Sequence, residues 1–238
     1  MNKTKKQTLN PQLEKTPVSG SRFVPMLFST EMVQAILNST KTETRRIVKF
    51  KKAYTYTLKS RFEKPEIQTL NNSQKPKVNV GDVIWVRETF NSNYNNTGFI
   101  YKADYKEPAK NKQFWKASLF MPKVASRMFL KVVSVHIERL QDIDEQSAIN
   151  EGIEDFHLNT TFKGYCWKNY LFEVKKHGKI CNAHISNTPI ESYMTLWQKI
   201  NGKDSHELNP FVWVYKFERI ERPYDFCQRP WLYADNGK

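Results

Sequence analysis

Apolar positions along the chain follow two spacings, and each predicts a different kind of element. Residues 22–28, Arg-Phe-Val-Pro-Met-Leu-Phe, read as a first strand, and the proline at position 25 confines it to a sheet edge or a strand start. Met32, Val33, Ile36 and Leu37 then recur at helical spacing behind Ser29 or Thr30 as N-cap, and Asn38-Ser39 ends that helix. Gly81-Asp82 turns the chain into Val83-Ile84-Trp85-Val86-Arg87, the clearest core strand, with residues 99–103 as its continuation or partner. Residues 129–139 form a second long strand, with Val133, Val135 and Ile137 on one face. A short helix over 140–152 follows, in which Asp142 and Glu145 have capping-box spacing and Gly152 supplies the stop. Thr188-Pro189-Ile190-Glu191 opens another helix, whose apolar face is Ile190, Met194, Trp197 and Ile200 and whose end is Asn201-Gly202. Residues 211–220 are apolar on both faces at their start, which suits a central strand.

The stretches between these elements are polar. Residues 1–21 carry Lys3, Lys5, Lys6 and Lys15 with almost no large apolar side chain, and read as a mobile basic tail. Residues 49–80 read either as a hairpin, from the alternation of Tyr54, Tyr56 and Leu58, or as a partly disordered loop. Residues 153–187 have weak periodicity and read as an irregular insertion. The order of strands and helices predicts an α+β fold, a small mixed or antiparallel barrel with peripheral helices. One domain over 22–222 is expected, with insertions at about 51–79 and 155–187 and a C-terminal tail at 223–238.

Composition narrows the partners. At 238 residues, with 39% hydrophobic and 13% aromatic residues, the chain has enough apolar surface for a core of its own. The 38 Lys and Arg against 24 Asp and Glu leave a formal charge of +14, which favours a polyanionic partner, nucleic acid first. Cys166, Cys181 and Cys227 form no CxxC pair and the five histidines no HxxxH, so neither a disulfide framework, a metal site nor a cofactor is implied. The absence of a long apolar run and of a signal core leads to the expectation of a cytoplasmic protein.

Candidate chemistry is concentrated in residues 38–46. Asn-Ser-Thr-Lys-Thr-Glu-Thr-Arg-Arg packs hydroxyls, a lysine, a carboxylate and two arginines into nine residues, a density that suits a pocket for a polar, anionic ligand. Paired Arg45 and Arg46 suit a phosphate, and Thr42 joins them as a candidate ligand contact. Arg87 and Glu88, directly after a core strand, reach the cleft rim or form an ordinary ion pair, and Arg127 is a further candidate contact. Trp85 and Trp213 lie on core strands and are expected to pack, whereas Trp115, Tyr165 and Trp167 serve either as base-stacking platforms or as satellite core.

Residues 36–46, followed by Gly81-Asp82-Val83-Ile84-Trp85-Val86 and the 140–152 helix, resemble the ASCH domain of the PUA-like superfamily. The runs at 121–127 and 209–215 are similar to those of larger ASCH-like proteins of bacteriophages and prophages, and the family commonly has glycine where this chain has Ser39. The resemblance implies a PUA-like β-barrel whose cleft takes RNA or a modified base, in a bacterial host cytoplasm if the chain is phage-encoded. It also implies an amidohydrolase acting on N4-acetylcytidine, with the roles of base, nucleophile and proton carrier falling on Lys41, Thr44 and Glu151 and the family's arginine on Arg46. Two other readings stand beside it, a non-catalytic reader of nucleic acid or modified bases, and a phage accessory protein that binds a host protein.

Overall fold

The computed structural model describes residues 20–49, 75–92, 98–105, 115–156, 166–172 and 185–227. The tail at 1–19, the hairpin at 54–58, Tyr165 and residues 228–238 lie outside the described residues.

The core is a five-stranded sheet in the order β1 (Phe23–Leu27), β3 (Val83–Arg87), β6 (Phe129–Arg139), β10 (Phe211–Ile220), β2 (Glu43–Ile47). Only β1 and β3 run parallel, and every other neighbour is antiparallel. β10 is flanked on both sides, and its alternate residues feed two cores. Phe211, Trp213, Tyr215 and Phe217 join one with Val33 and Ile36 of α1 (Thr30–Leu37), while Val212 and Val214 join another with Tyr193 and Trp197 of α3 (Pro189–Asn201). The strand is apolar on both faces because both faces are covered. Each fully buried aliphatic side chain of this kind contributes roughly 1.5–3 kcal/mol.

Capping follows the side chains available. Ser29 accepts from the Met32 amide at the start of α1, and Thr188 from the Glu191 amide at the start of α3, with Pro189 in its first turn. The helix expected over 140–152 is shorter. Residues Leu140–Asp142 form a 3₁₀ turn, and α2 spans Glu145–Asn150 with Asp144, not Asp142, as its cap through a 2.6 Å bond to the Ser147 amide. Residues 99–103 do not extend β3, since β5 (Phe99–Tyr101) pairs with β4 (Phe90–Ser92) in a separate ribbon. Part of the stretch expected to be irregular forms a small antiparallel sheet of β7 (Asp155–Phe156), β8 (Cys166–Lys168) and β9 (Ile185–Ser186).

The expected α+β class is what the structure has, with a mostly antiparallel main sheet. The fold is mixed α+β, and among the described residues the main sheet is open, with β1 and β2 as its edges. Pro25 sits on edge strand β1, where its missing amide costs no ladder bond. Carbonyls of that strand are taken by cations instead: Lys77 Nζ donates to Pro25 O at 3.1 Å and Arg46 Nη2 to Leu27 O at 2.9 Å. Arg46 belongs to β2, so one side chain spans the two edges that a barrel ladder would join.

Candidate functional site

The segment after α1 is held by an unusual turn. Ser39 lies in the left-handed region at φ 60°, and the Thr40 and Lys41 amides both donate to Ala35 O, at 2.9 and 3.2 Å. Lys41 then forms an isolated antiparallel bridge with Glu151, and the Thr42 amide donates to Asn150 O at 2.8 Å. On its other side Thr42 O accepts from the Phe217 amide at 2.9 Å, so the strand start is clamped between α2 and β10. Gly152 makes the approach possible. Its φ is 81°, and a Cβ there would meet the Cβ atoms of Ala35 and Lys41 at 2.8 Å each.

This clamp brings together Lys41 and Glu151, which lie 110 residues apart in the sequence. Lys41 Nζ donates to Glu151 Oε2 at 2.5 Å and to Glu151 O at 2.8 Å, and both side chains are buried. Arg45 Nη1 donates to Glu151 Oε1 at 3.1 Å and its Nε to Glu138 Oε1 at 2.8 Å, while the Tyr193 hydroxyl lies 3.5 Å from Glu151 Oε1. Glu43 Oε1 accepts from Asn150 Nδ2 and pairs with Lys216 Nζ, both at 3.0 Å. Lys41, Arg45 and Lys216 thus face Glu43, Glu138 and Glu151, a cluster balanced in charge, as burial demands.

Burial disfavours the Lys41 ammonium more than Glu151 favours it, and the neighbouring Arg46 and Arg45 add repulsion, so its pKa falls below the ordinary lysine range. Burial, reinforced by the Glu151 carboxylate, pushes the Tyr193 phenol well above its ordinary value. Arg46 stands apart. It is half-buried, its guanidinium lies 5.2 Å from the Phe28 ring centre, and among the described residues it makes no ion pair.

Beside this cluster is a cavity of about 280 Å³, whose wall includes Thr44, Arg46, Glu151, Tyr193 and Trp197. A larger groove of about 810 Å³ shares Glu151, Met32, Leu196 and Ile200 with it. Thr44 is 1% exposed, and its hydroxyl has no hydrogen-bond partner among the described residues.

The structure therefore brings together Lys41, Thr44, Arg45, Arg46 and Glu151 and leaves the other expected contacts elsewhere. Thr42 is exposed and works through its backbone. Arg45 lines the cavity but is committed to carboxylates rather than open to an anion. Arg87 donates to Leu119 O and lies over Trp85 at 5.6 Å. Glu88 is buried against Arg127, with bonds of 2.9 and 3.0 Å, and Arg127 also reaches Asp104 at 2.9 Å. None of these three lines the cavity. Trp85 and Trp213 are core residues, and Trp167 packs as satellite core against the α3 cluster. Sequence reading missed Tyr193 and Trp197 as site residues. The available signal was a pair of polar-tipped aromatics, one turn apart, on the inward face of α3.

Among the described residues no group of three or more His, Cys, Asp and Glu side chains is placed to hold a metal ion, and no helix is long and apolar enough to cross a membrane. Comparison with protein-family models, curated proteins and solved structures finds no match for this chain.

Proposed function

We propose that the cavity beside Lys41, Thr44 and Glu151 binds an N4-acylated cytosine, in RNA or as a nucleoside, and hydrolyses its exocyclic amide on a PUA-like fold of the ASCH type. The observation that carries the reading is the convergence of a buried amine and carboxylate 2.5 Å apart, from positions separated by 110 residues, beside a buried threonine hydroxyl without a partner among the described residues. Arg46 tying edge β2 to edge β1 supports the barrel-like reading of the sheet.

The chemistry follows from these groups. Thr44 Oγ1 attacks the acyl carbon, and its proton passes to Lys41, whose lowered pKa makes the neutral amine accessible. Arg46, a cation on the cavity wall outside the balanced cluster, stabilises the oxyanion that develops. The C–N bond breaks as the departing N4 takes a proton from the Lys41 and Glu151 pair, leaving an acyl ester on Thr44. Water attacks that ester, the acid leaves and Thr44 recovers its proton. At about 280 Å³ the cavity lies near the lower end of small-molecule sites and suits one base rather than a stretch of chain. The formal charge of +14 supports delivery of that base within RNA, through phosphate contacts outside the cavity.

One observation favours a second reading, a binder of modified bases without turnover. Lys41 Nζ is held by two Glu151 oxygens, and Thr44 Oγ1 bonds to neither residue. Chromatography after incubation with N4-acetylcytidine separates the two. The hydrolase reading predicts cytidine and acetate from wild type and none from folded Lys41→Met or Glu151→Gln; intact substrate bound to folded wild type establishes the binder.

A further inference from the structure

Trp197 and Thr44 share a property found nowhere else on the cavity wall. Each carries a buried polar atom, the indole Nε1 and the hydroxyl Oγ1, with no hydrogen-bond partner among the described residues. Both side chains are almost inaccessible, at 4% and 1% exposure. Buried polar groups are bonded in the great majority of cases, so two orphans on one small cavity point to a partner that comes from outside the chain.

The type of partner follows from the inventory of donors. An indole N–H and a guanidinium only donate, and a threonine hydroxyl does either. The carboxylate on the same wall is already engaged, since Glu151 receives Lys41, Arg45 and Tyr193. Met32, Leu196, Ile200 and the Trp197 ring give the wall, which also carries Lys49 and Asn201, apolar surface that suits the faces of a planar ring. The missing component is therefore a flat, acceptor-bearing group rather than a cation or an aliphatic chain.

We infer that Trp197 is a specificity residue, whose indole N–H donates to a ring carbonyl of a planar heterocycle held in this cavity. The identity of the ring as a cytosine rests on the function proposed above; the role of Trp197 rests on the orphaned N–H. Thr44 is then free to meet the acyl carbon while Trp197 holds the ring.

The test uses the full chain and Trp197→Phe, which keeps an aromatic ring and removes the donor. The chain has six tryptophans, and their indole N–H signals are assigned by triple-resonance NMR of ¹⁵N,¹³C-labelled wild type. Addition of N4-acetylcytidine is expected to shift the Trp197 indole proton downfield. By calorimetry, Trp197→Phe is expected to bind the nucleoside about tenfold or more weakly, and its loss in kcat/KM to come through KM. An unmoved Trp197 signal with nucleoside bound overturns the inference. So does equal affinity in the variant, a signal moved only by phosphate or acetate, or failure of every one of these probes to bind. If Trp197→Phe does not fold, the wild-type indole shift decides alone. Nucleoside bound through Trp197 but not hydrolysed sinks the deacylase reading and leaves this inference standing, whereas hydrolysis with an undiminished kcat/KM in Trp197→Phe does the reverse.

Discussion

Removing one member of the Lys41 and Glu151 pair tests whether the buried cluster is the joint that holds α2 to the start of β2. In Glu151→Gln, Lys41 Nζ loses the carboxylate at 2.5 Å and Arg45 Nη1 loses its partner at 3.1 Å, so two buried cations face a neutral amide. Leaving a buried charge without its partner costs about 3–5 kcal/mol. Lys41 has a route of escape, because burial already lowers its pKa and the lone amine can shed its proton, which places the loss toward the lower end. In Lys41→Met the carboxylate keeps Arg45 and Tyr193, and roughly 1–3 kcal/mol is expected for its lost charged hydrogen bonds. The double variant removes both charges together and should lose less than the sum, with a coupling of at least about 1 kcal/mol. Urea unfolding at pH 7 followed by tryptophan fluorescence gives the cycle, and in thermal melts the Glu151→Gln shift should be about 6–20 °C. Single losses below about 1 kcal/mol that add within about 0.5 kcal/mol would refute the reasoning.

Three further predictions concern the same joint. Gly152→Ala should cost about 2–5 kcal/mol, because a Cβ at positive φ meets Ala35 and Lys41 at 2.8 Å; a denaturation midpoint equal to wild type would contradict the close approach. Ser39→Gly should raise stability by roughly 0.5–1 kcal/mol by relieving the left-handed φ of 60°, and a lower melting temperature would show that Ser39 contributes something the turn geometry does not. With rising pH, the unfolded chain holds the Lys41 proton longer than the folded one, so this lysine's contribution to stability grows as pH climbs toward its ordinary value of 10.5. Tyr193 acts oppositely, since the unfolded phenol ionises near 10.0 while the folded one stays protonated, and stability falls above that pH. Urea midpoints against pH should lose the rise in Lys41→Met and the alkaline fall in Tyr193→Phe; curves parallel to wild type would contradict both assignments.

Strong apolar periodicity was legible in the sequence, and charged strands were not. β6 falls where its alternation places it, β10 where its run apolar on both faces does, and α3 starts at its Thr-Pro signal, because each carries a local cue that its packing then uses. β2 offers no such cue. Glu-Thr-Arg-Arg-Ile has no run of alternating apolar residues, and it becomes a strand because β10 supplies ladder bonds on one side and Glu138 and Glu151 neutralise Arg45 on the other. The same non-local logic hid part of the site. Lys41, Thr44 and Glu151 carry an ASCH-like resemblance and do assemble, but Arg45 looked like an anion contact until the carboxylates on β6 and α2 claimed it. Glu88 and Arg127 were legible as polar residues near a strand end, and their ion pair depends on β3 and β6 lying side by side. Open sheet edges bridged by one arginine cannot be read from periodicity, which reports faces and not closure.

The most direct measurement of the central claim is turnover of N4-acetylcytidine by wild type beside Thr44→Val, with unfolding midpoints measured on both. Valine keeps the branched shape and removes only a buried hydroxyl that has no partner among the described residues, so stability should hold or rise by up to about 1 kcal/mol while cytidine release disappears. Release at the wild-type rate by Thr44→Val would remove the nucleophile from the account, and a loss of stability well beyond 1 kcal/mol, read by the same criterion, would make the hydroxyl structural.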